Sequence, residues 1–381
     1  MKEIAELKDI IQRCTRCGNC QYYCPSFTVS KLETHVARGR LQLIKKNLEE
    51  GKDYSDVFVK RINQCLLCGN CSQNCPAGIS VQEIVEDIRG LCIEKRGPLP
   101  AMEMTAKSIG EKGNITGDSR ENRLLWFQNM DEGSVRADQP AEYVYFAGCV
   151  STLYPSSYSI PQTFASLINK TDLNWTVLGE RENCCAYPLV IGGMKESAKN
   201  TIEKNVRDVT ALGAKNIVTT CPSCYHMWKE VYPRMLPGMP DIKIYHGSQL
   251  LAKLVKEGAF KFKETNCVVT YHDPCDLGRK SGIYNEPREI LKFIPGVKLA
   301  EMKFNRENAI CCGGGGNLEM NDAALSGKVA QLRVTQAQDA KAEIIITSCQ
   351  QCKRTLSGGV RQKRARIKVM DLSEFMISAL E

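Results

Sequence analysis

The chain has 381 residues, of which 43% are apolar and 25% charged, and its formal net charge at pH 7 is +8. This composition is typical of a folded protein of two or three domains, and no apolar stretch is long enough to span a bilayer. The first ten residues, MKEIAELKDI, carry charges throughout. We therefore expect no secretory signal and a cytoplasmic protein in a reducing compartment, where twenty cysteines indicate metal binding or catalysis rather than disulfides.

Residues 1–96 are predicted to form a small α-helical domain around two cysteine runs of the form CxxCxxCxxxCP. Apolar residues at helical spacing predict helices over 4–11, 36–48 and 81–95. The spacing of the runs is that of bacterial two-cluster ferredoxins, in which the fourth cysteine of each run binds the neighbouring cluster. The first 4Fe–4S cubane cluster is then held by Cys14, Cys17, Cys20 and Cys75. The second is held by Cys24, Cys65, Cys68 and Cys71. Zinc is the alternative, but it usually takes paired CxxC arms.

The remainder of the chain is predicted to be a linker followed by two α/β domains. GPLP at 97–100 breaks the helical pattern, and the polar residues up to 140 indicate a linker, which Trp126 and Phe127 pin to a domain. Four apolar β-rich runs then each end at a cysteine, with helical stretches between them. This alternation predicts largely parallel strands in domains 141–265 and 266–381, with the cysteines at the carboxyl edge of each sheet. The fold class is therefore α+β and multidomain.

Ten further cysteines form a duplicated five-cysteine set: one Cys, a distant Cys-Cys pair, and a CxxC. The first copy is Cys149, Cys184, Cys185, Cys221 and Cys224, and the second is Cys275, Cys311, Cys312, Cys349 and Cys352. The second copy follows the first by 126 to 128 residues, which indicates an internal duplication. We expect a pseudo-two-fold pair of domains whose two pockets face each other. Cys92 and Cys267 stand outside these sets and are expected to be small buried apolar residues.

The five-cysteine sets resemble the CCG-domain repeat of heterodisulfide reductases, and YHDPCDLGR and ENAICCGGGGNL carry the likeness further. With the two ferredoxin runs, the whole chain resembles the fused relay-plus-catalytic form of that family, the D-subunit type. The resemblance implies two noncubane 4Fe–4S clusters, each held by one five-cysteine set, beside the two cubane clusters. It also implies reduction of a disulfide, with electrons relayed through the cubanes to the noncubane pair. Ala186 stands where the motif expects glycine, and Asp276 where many relatives carry histidine.

Two smaller features accompany the second set. Gly313 and Gly314, within the run Gly313–Gly316, are predicted to let the backbone approach a cluster and to offer N–H donors to its sulfurs. His272 lies three residues before Cys275. His272 could donate a proton to a departing thiolate. The favoured interpretation is that His272 and Asp273 both form structural hydrogen bonds in a tight loop.

In a second hypothesis the chain binds the same iron–sulfur clusters but catalyses no reaction itself. Ferredoxin runs followed by CCG repeats also occur in iron–sulfur subunits of glycolate oxidase and anaerobic glycerol-3-phosphate dehydrogenase, and ARGRLQLI at 37–44 resembles a segment of those subunits. The chain would then be a non-catalytic electron-transfer subunit, because shared architecture does not fix the reaction.

The chain is expected to need partners. No GxGxxG opens a strand–helix unit, so no flavin or NAD site is predicted here, and electrons must come from outside. The expected partner in a hetero-oligomeric redox complex is a flavoprotein, a hydrogenase-like module or a membrane cytochrome, which would hold the chain at the inner face of the membrane. The basic residues between 353 and 368 predict a solvated face, or attraction for an acidic donor or anionic substrate. Nucleic-acid binding is not expected, since no recognised motif accompanies the charge.

Overall fold

The computed structural model describes residues 3–51 and 54–381, and its N-terminal part folds into short helices around the two cysteine runs. These helices are α1 (Ile4–Gln12), α2 (Asn19–Tyr23), α3 (Pro25–Ser30), α4 (Ala37–Glu50), α5 (Asp56–Asn63), α6 (Asn70–Gln73) and α7 (Val81–Arg96). In each run a glycine with a positive φ, Gly18 or Gly69, follows the second cysteine and precedes a short helix. The helical domain that the sequence predicted is confirmed, with α1, α4 and α7 in the predicted places.

The segment 97–140 is more structured than a linker. Pro100 occupies the first turn of α8 (Pro100–Lys112), where its missing N–H costs nothing. A 3-10 helix follows over Arg120–Phe127, and its Arg123 and Trp126 side chains are buried. Trp126 packs into the α/β core, as predicted.

The first α/β half contains a four-stranded parallel sheet with the strand order β2-β1-β3-β4. Its elements are β1 (Tyr143–Tyr145), α9 (Cys149–Leu153), α10 (Ser159–Ile168), β2 (Trp175–Thr176), α11 (Tyr187–Ile191), α12 (Lys195–Ala211), β3 (Asn216–Thr219), α13 (Pro222–His226), α14 (Tyr232–Met235), β4 (Lys243–His246) and α15 (Gly247–Lys256). The chain leaves β1 toward one edge of the sheet and returns to β3 on its other side. The carboxyl ends of β1 and β3 therefore form a topological switch point, where open α/β sheets bind ligands.

The second half repeats this topology with the order β6-β5-β7-β8, again all parallel. Its elements are β5 (Cys267–His272), α16 (Glu286–Phe293), β6 (Val297–Leu299), α17 (Leu318–Asn321), α18 (Ala323–Asp339), β7 (Ile344–Thr347), α19 (Gln350–Lys363), β8 (Lys368–Asp371) and α20 (Leu372–Ser378). The predicted α+β class with two duplicated α/β units is thus confirmed.

The two halves pack as a pseudo-symmetric pair. Helix α10 packs on α20, and the equivalent contact of opposite sense joins α15 to α16. Reciprocal contacts of this kind are expected of an isologous two-fold interface. Tyr145 and Phe164 of the first half share one apolar core with Tyr271 and Ile346 of the second, and this burial fixes how the two sheets face each other.

The helical domain sits against the second half. Asn70 Nδ2 donates to the carbonyl oxygens of Asn308 and Ala309, each at 3.2 Å. Gln64 Nε2 donates to Asp322 Oδ2 at 2.6 Å. No helix within 3–51 or 54–381 is long and apolar enough to cross a membrane.

Candidate metal centres

The first N-terminal set lies at the protein surface. Its four cysteines line one small cavity of about 30 Å³: Cys14, Cys17, Cys20 and Cys75. Cys75 belongs to the other run, which it ends immediately before Pro76. Cys17 is exposed, whereas the other three are partly buried. This set is therefore the one within reach of an external redox protein.

The second N-terminal set lies deeper. A second cavity of about 30 Å³ is lined by Cys24, Cys65, Cys68 and Cys71. Burial raises the pKa of the Cys24 thiol to about 12 and that of Cys71 well above its usual range, and neighbouring thiols act in the same direction. Crowded buried thiols resist ionisation until a cation binds them as thiolates. Each N-terminal set thus offers four soft sulfur ligands, which suit an iron–sulfur cluster.

Both five-cysteine sets are assembled, and their thiols contact one another in the same order. In the first half the order is Cys149, Cys184, Cys185, Cys224 and Cys221. In the second half it is Cys275, Cys311, Cys312, Cys352 and Cys349. The loops after β1, β3, β5 and β7 supply the single cysteines and the CxxC pairs, as predicted from the strand ends.

The middle thiol of each set differs from its neighbours. The adjacent thiols of Cys184 and Cys224 hydrogen-bond to Cys185 and lower its pKa. The thiols of Cys311 and Cys352 do the same to Cys312. The pKa values of these flanking thiols are raised, in part by the same contacts with the middle thiol. Five sulfurs exceed the four that one cubane takes, which fits a larger thiolate-bound iron–sulfur group.

The two sets face a single shared cavity of about 190 Å³. Nine of the ten cysteines line it, and the tenth, Cys311, is buried beside Cys275 and Cys312. The expectation that the two pockets face each other is therefore confirmed. A molecule bound in this cavity would contact both halves at once.

The cavity is lined on one side by polar residues of both halves, Tyr187, Ser223 and Asp276, and Lys280 contacts two of them from behind. Lys280 Nζ lies 3.0 Å from Asp276 Oδ1 and donates to the Tyr187 hydroxyl at 2.9 Å. Ser223 Oγ donates to Asp276 Oδ2 at 2.7 Å. Although burial alone would raise it, the Lys280 ammonium holds the pKa of Asp276 below its usual value. The pair is thus ionised, and it links the two halves beside the cysteines.

The two glycines after Cys312 make different contacts. Gly313 has a φ of +100°, and an added Cβ would lie 2.5 Å from the Ser326 carbonyl oxygen. Gly314 lines the shared cavity, and its backbone N–H donates to Cys312 Sγ at 3.3 Å. Hydrogen bonds to cluster-binding sulfur stabilise negative charge there.

His272 is buried at the end of β5, and Arg333 Nε donates to its Nδ1 at 3.1 Å. Its ring proton therefore lies on Nε2, for which the described residues offer no hydrogen-bond partner. One ring nitrogen of His272 and the thiols of Cys312 and Cys352 lie within 4.8 Å of one another. Burial, and next the Arg333 cation, lower the pKa of His272 well below its usual range. A neutral ring with one proton suits a hydrogen bond to sulfur better than proton delivery.

Asp273 has a structural role, since its carboxylate pairs with Arg288 at 2.6 Å. Cys92 is buried in the helical domain as predicted. The prediction for Cys267 is wrong, because it is the first residue of β5 and remains partly exposed where that strand begins.

Arg123 is a site residue that the sequence did not reveal. Its Nη2 donates to Cys149 Sγ at 3.1 Å, while Nη1 pairs with Glu182 at 2.9 Å, and both side chains are almost fully buried. Glu182 also accepts from the backbone N–H groups of Ala147 and Gly148, which lead into Cys149. Arg123 lies in the polar segment 97–140, and only the neighbouring Trp126 hinted that this segment is anchored.

Two family models match the chain. The model described as "Cysteine-rich domain" matches residues 143–229 and 269–357, and the "4Fe-4S dicluster domain" model matches residues 10–79. These spans contain the two five-cysteine sets and both ferredoxin runs.

Several known proteins are similar over most of the chain. The D subunit of the dihydromethanophenazine:CoB–CoM heterodisulfide reductase of Methanosarcina barkeri is 30% identical, over 97% of this chain and 94% of that protein. A probable iron–sulfur-binding oxidoreductase of Bacillus subtilis is 29% identical over 85% of this chain and 47% of its own length. The EtfAB:quinone oxidoreductase of Syntrophomonas wolfei is 28% identical over 98% of this chain and 59% of its own length.

A crystal structure of a hypothetical protein from Helicobacter pylori shares the fold, with a TM-score of 0.62, 11% identity, and coverage of 100% of this chain and 77% of that one. The identity to the methanogen proteins extends over nearly the whole chain, and the two matched domain types occur in the same order as the cysteine sets. The chain therefore belongs to the family of the heterodisulfide reductase D subunit, as an iron–sulfur oxidoreductase subunit in which a 4Fe-4S dicluster domain precedes two cysteine-rich domains.

Proposed function

We propose that this chain is the disulfide-reducing subunit of a redox complex. Two cubane clusters in the helical domain would carry electrons to two noncubane clusters, one held by each five-cysteine set. The observation that carries the proposal is that both sets are complete and face one cavity. A relay alone needs no such pair of intact thiolate sets opening onto a common space.

The order of the sites supports a route for electrons. The set around Cys17 is exposed, and the set around Cys68 lies between it and the second half. Gly315 and Gly316 line the shared cavity and also contact the backbone of Leu66 and Cys65. The second N-terminal set is therefore separated from the cavity by little more than one layer of backbone.

The residues of the cavity suit a sulfur substrate. When bound, iron–sulfur clusters supply single electrons at thiolate-ligated iron. Cleavage of a disulfide consumes two electrons and two protons and gives two thiols. Two facing cysteine sets present one sulfur-binding side to each half of the substrate, and the Tyr187 hydroxyl and the Asp276–Lys280 ion pair lie beside them.

A permanent partner would supply the electrons. The matched relatives include components of reductase and oxidoreductase assemblies, such as the B subunit of the fumarate reductase (CoM/CoB) of Methanothermobacter marburgensis. We infer that this chain also works in a complex, with a flavoprotein, a hydrogenase-like module or a membrane cytochrome as the donor.

A second candidate function is electron transfer without catalysis, as part of a flavin dehydrogenase complex. It is favoured by the similarity to the EtfAB:quinone oxidoreductase, which extends over 98% of this chain. In that case the cavity would bind no substrate, and the electrons would leave for a quinone or a flavin.

Turnover of iron-loaded full-length protein separates the two functions. Reduced viologen serves as donor, a panel of low-molecular-weight disulfides as acceptors, and thiols are counted against oxidised dye. We expect two thiols per two electrons, with loss of turnover in Cys224→Ser and in Cys352→Ser, one for each half. Cys267→Ser is the matched control and should retain activity, since Cys267 lies outside both sets. Reduced protein that passes electrons to a quinone or flavoprotein, but to no disulfide, would support the relay instead.

A further inference from the structure

A buried cation joins the helical domain to the second half. Arg279 Nε donates to the Cys68 carbonyl oxygen at 2.6 Å, and Nη1 donates to the Ala309 carbonyl oxygen at 2.7 Å. Ala309 lies two residues before Cys311. The guanidinium thus binds the backbone of both the second N-terminal set and the second five-cysteine set.

The charge of this guanidinium is not neutralised locally. Within the described parts of the chain Arg279 forms no ion pair, and its buried Nη2 has no hydrogen-bond partner. Although burial opposes it, the nearby sulfurs of Cys68, Cys275 and Cys311 raise the pKa of Arg279. Its hydrogen bonds to the Cys68 and Ala309 carbonyl oxygens place the cation between the second N-terminal set and the second five-cysteine set.

The first five-cysteine set has no equivalent free charge among the described residues. Leu153 occupies the position that corresponds to Arg279 when the repeats are aligned on Cys149 and Cys275. The guanidinium that does reach this set, Arg123, is paired with Glu182 at 2.9 Å, so the buried pair carries no net charge.

The two N-terminal sets also differ in whether the nearby guanidinium groups pair with a carboxylate. Near the second set, Arg89 donates to the Cys65 carbonyl oxygen at 2.8 Å and Arg40 to the Gln64 carbonyl oxygen at 2.9 Å. Both are almost fully buried. Near the exposed first set, Arg38 pairs with Glu33 at 2.7 Å instead. Guanidinium groups bonded to carbonyl oxygens are thus concentrated at the second N-terminal set and at its contact with the second half.

We propose that the two five-cysteine sites differ in reduction potential. Arg279 is a positioning residue, and because of its charge the second five-cysteine site accepts electrons from the helical domain before the first five-cysteine site does. The proposal rests on the proposed function, because it assumes that the cysteine sets bind clusters. A fixed positive charge stabilises the added electron at a nearby site. An external one-electron reductant loses one electron, and that electron passes through the second N-terminal site to the second five-cysteine site. The first five-cysteine site is reduced afterwards, across the cavity.

Potentiometric titration with EPR detection tests the assignment. Arg279→Gln removes the charge, and we expect the midpoint potentials of two sites to fall while the other two stay. For a separation on the order of 10 Å and an effective dielectric of about 20, the reduced-to-oxidised ratio at a fixed solution potential falls about 17-fold, which corresponds to about 70 mV. Arg279→Lys keeps the charge and should leave the potentials near those of the parent protein.

Two further variants complete the test. Arg366→Gln removes a charge that is exposed to solvent and is the matched control. Glu182→Gln frees the charge of Arg123 and should raise the potential of the first five-cysteine site. If Arg279→Gln binds full iron and all potentials are unchanged, the proposal is overturned. If no variant or parent protein binds iron, the proposed function fails as well, so iron content separates the two failures. If Arg279→Gln does not fold, Glu182→Gln provides the test. An unchanged midpoint potential at its first five-cysteine site then overturns the proposal that local charge makes the two sites differ.

Discussion

Replacement of Gly313 by alanine should destabilise the second half well beyond the loss of glycine alone. The φ of +100° is disfavoured for alanine, which costs about 1–2 kcal/mol. The new Cβ would also lie 2.5 Å from the Ser326 carbonyl oxygen, and displacing this backbone costs about 1–3 kcal/mol. A total of about 3 kcal/mol lowers the midpoint of thermal unfolding by about 6–12 °C if the two α/β halves unfold as one unit.

Two other glycines provide matched controls. Gly258 also has a positive φ, of +79°, but nothing lies within 4 Å of an added Cβ. Gly258→Ala should therefore cost only the conformational part, about 1–2 kcal/mol. Gly358, inside α19, has open space and no positive φ, so Gly358→Ala should stabilise by about 0.5–1 kcal/mol.

Anaerobic circular dichroism melts of the three iron-loaded variants give the comparison, together with iron content. Gly313→Ala should melt lowest and should also lose iron, because its backbone positions Cys311 and Cys312. A melting midpoint for Gly313→Ala no lower than that of Gly258→Ala would refute the steric reasoning.

Two further predictions concern charge. Burial raises the pKa of Asp371 to about 7, and the nearby Glu374 adds to this shift while Lys353 opposes it. The folded state therefore binds more protons than the unfolded state between about pH 4 and 7. The stability of the fold falls as the pH rises through that window. Asp371→Asn should remove this contribution. The melting midpoint of the variant minus that of the parent protein should therefore increase from pH 5 to pH 8. If this difference is the same at both pH values, the assignment is wrong. On the basic face of α19 and β8, neutralising three residues together should slow reduction by an acidic one-electron carrier protein at low salt and flatten the salt dependence. The three residues are Arg361, Lys363 and Lys368. Unchanged stopped-flow rates would show that this basic face is solvated and binds no carrier protein.

The sequence predicted the central strands and the cysteine loops because these signals are local. β1, β3, β5 and β7 are short apolar runs that end at a cysteine, and all four were predicted. The outer strands β2, β4, β6 and β8 were missed. β2 has only two residues, Trp175 and Thr176, and its extended form comes from pairing with β1 rather than from its own composition.

The arginines of the site were not predicted, for a related reason. Arg123 and Arg279 act through contacts with residues far away in the chain, with Cys149 and Cys68 respectively. A guanidinium that pairs with a carboxylate cannot be distinguished by sequence from one that bonds only to carbonyl oxygens. The glycine run was different, because positive φ and close approach are constraints that glycine itself reveals, and Gly314 does donate to Cys312 Sγ.

The claim that the five-cysteine sites bind a sulfur substrate is tested most directly by EPR of the oxidised, iron-loaded protein with and without a candidate thiol. The account predicts a paramagnetic signal that appears only with thiol and is lost in Cys224→Ser or Cys352→Ser. Signals of the N-terminal sites alone, indifferent to every thiol at full iron content, would contradict it and make the chain a relay.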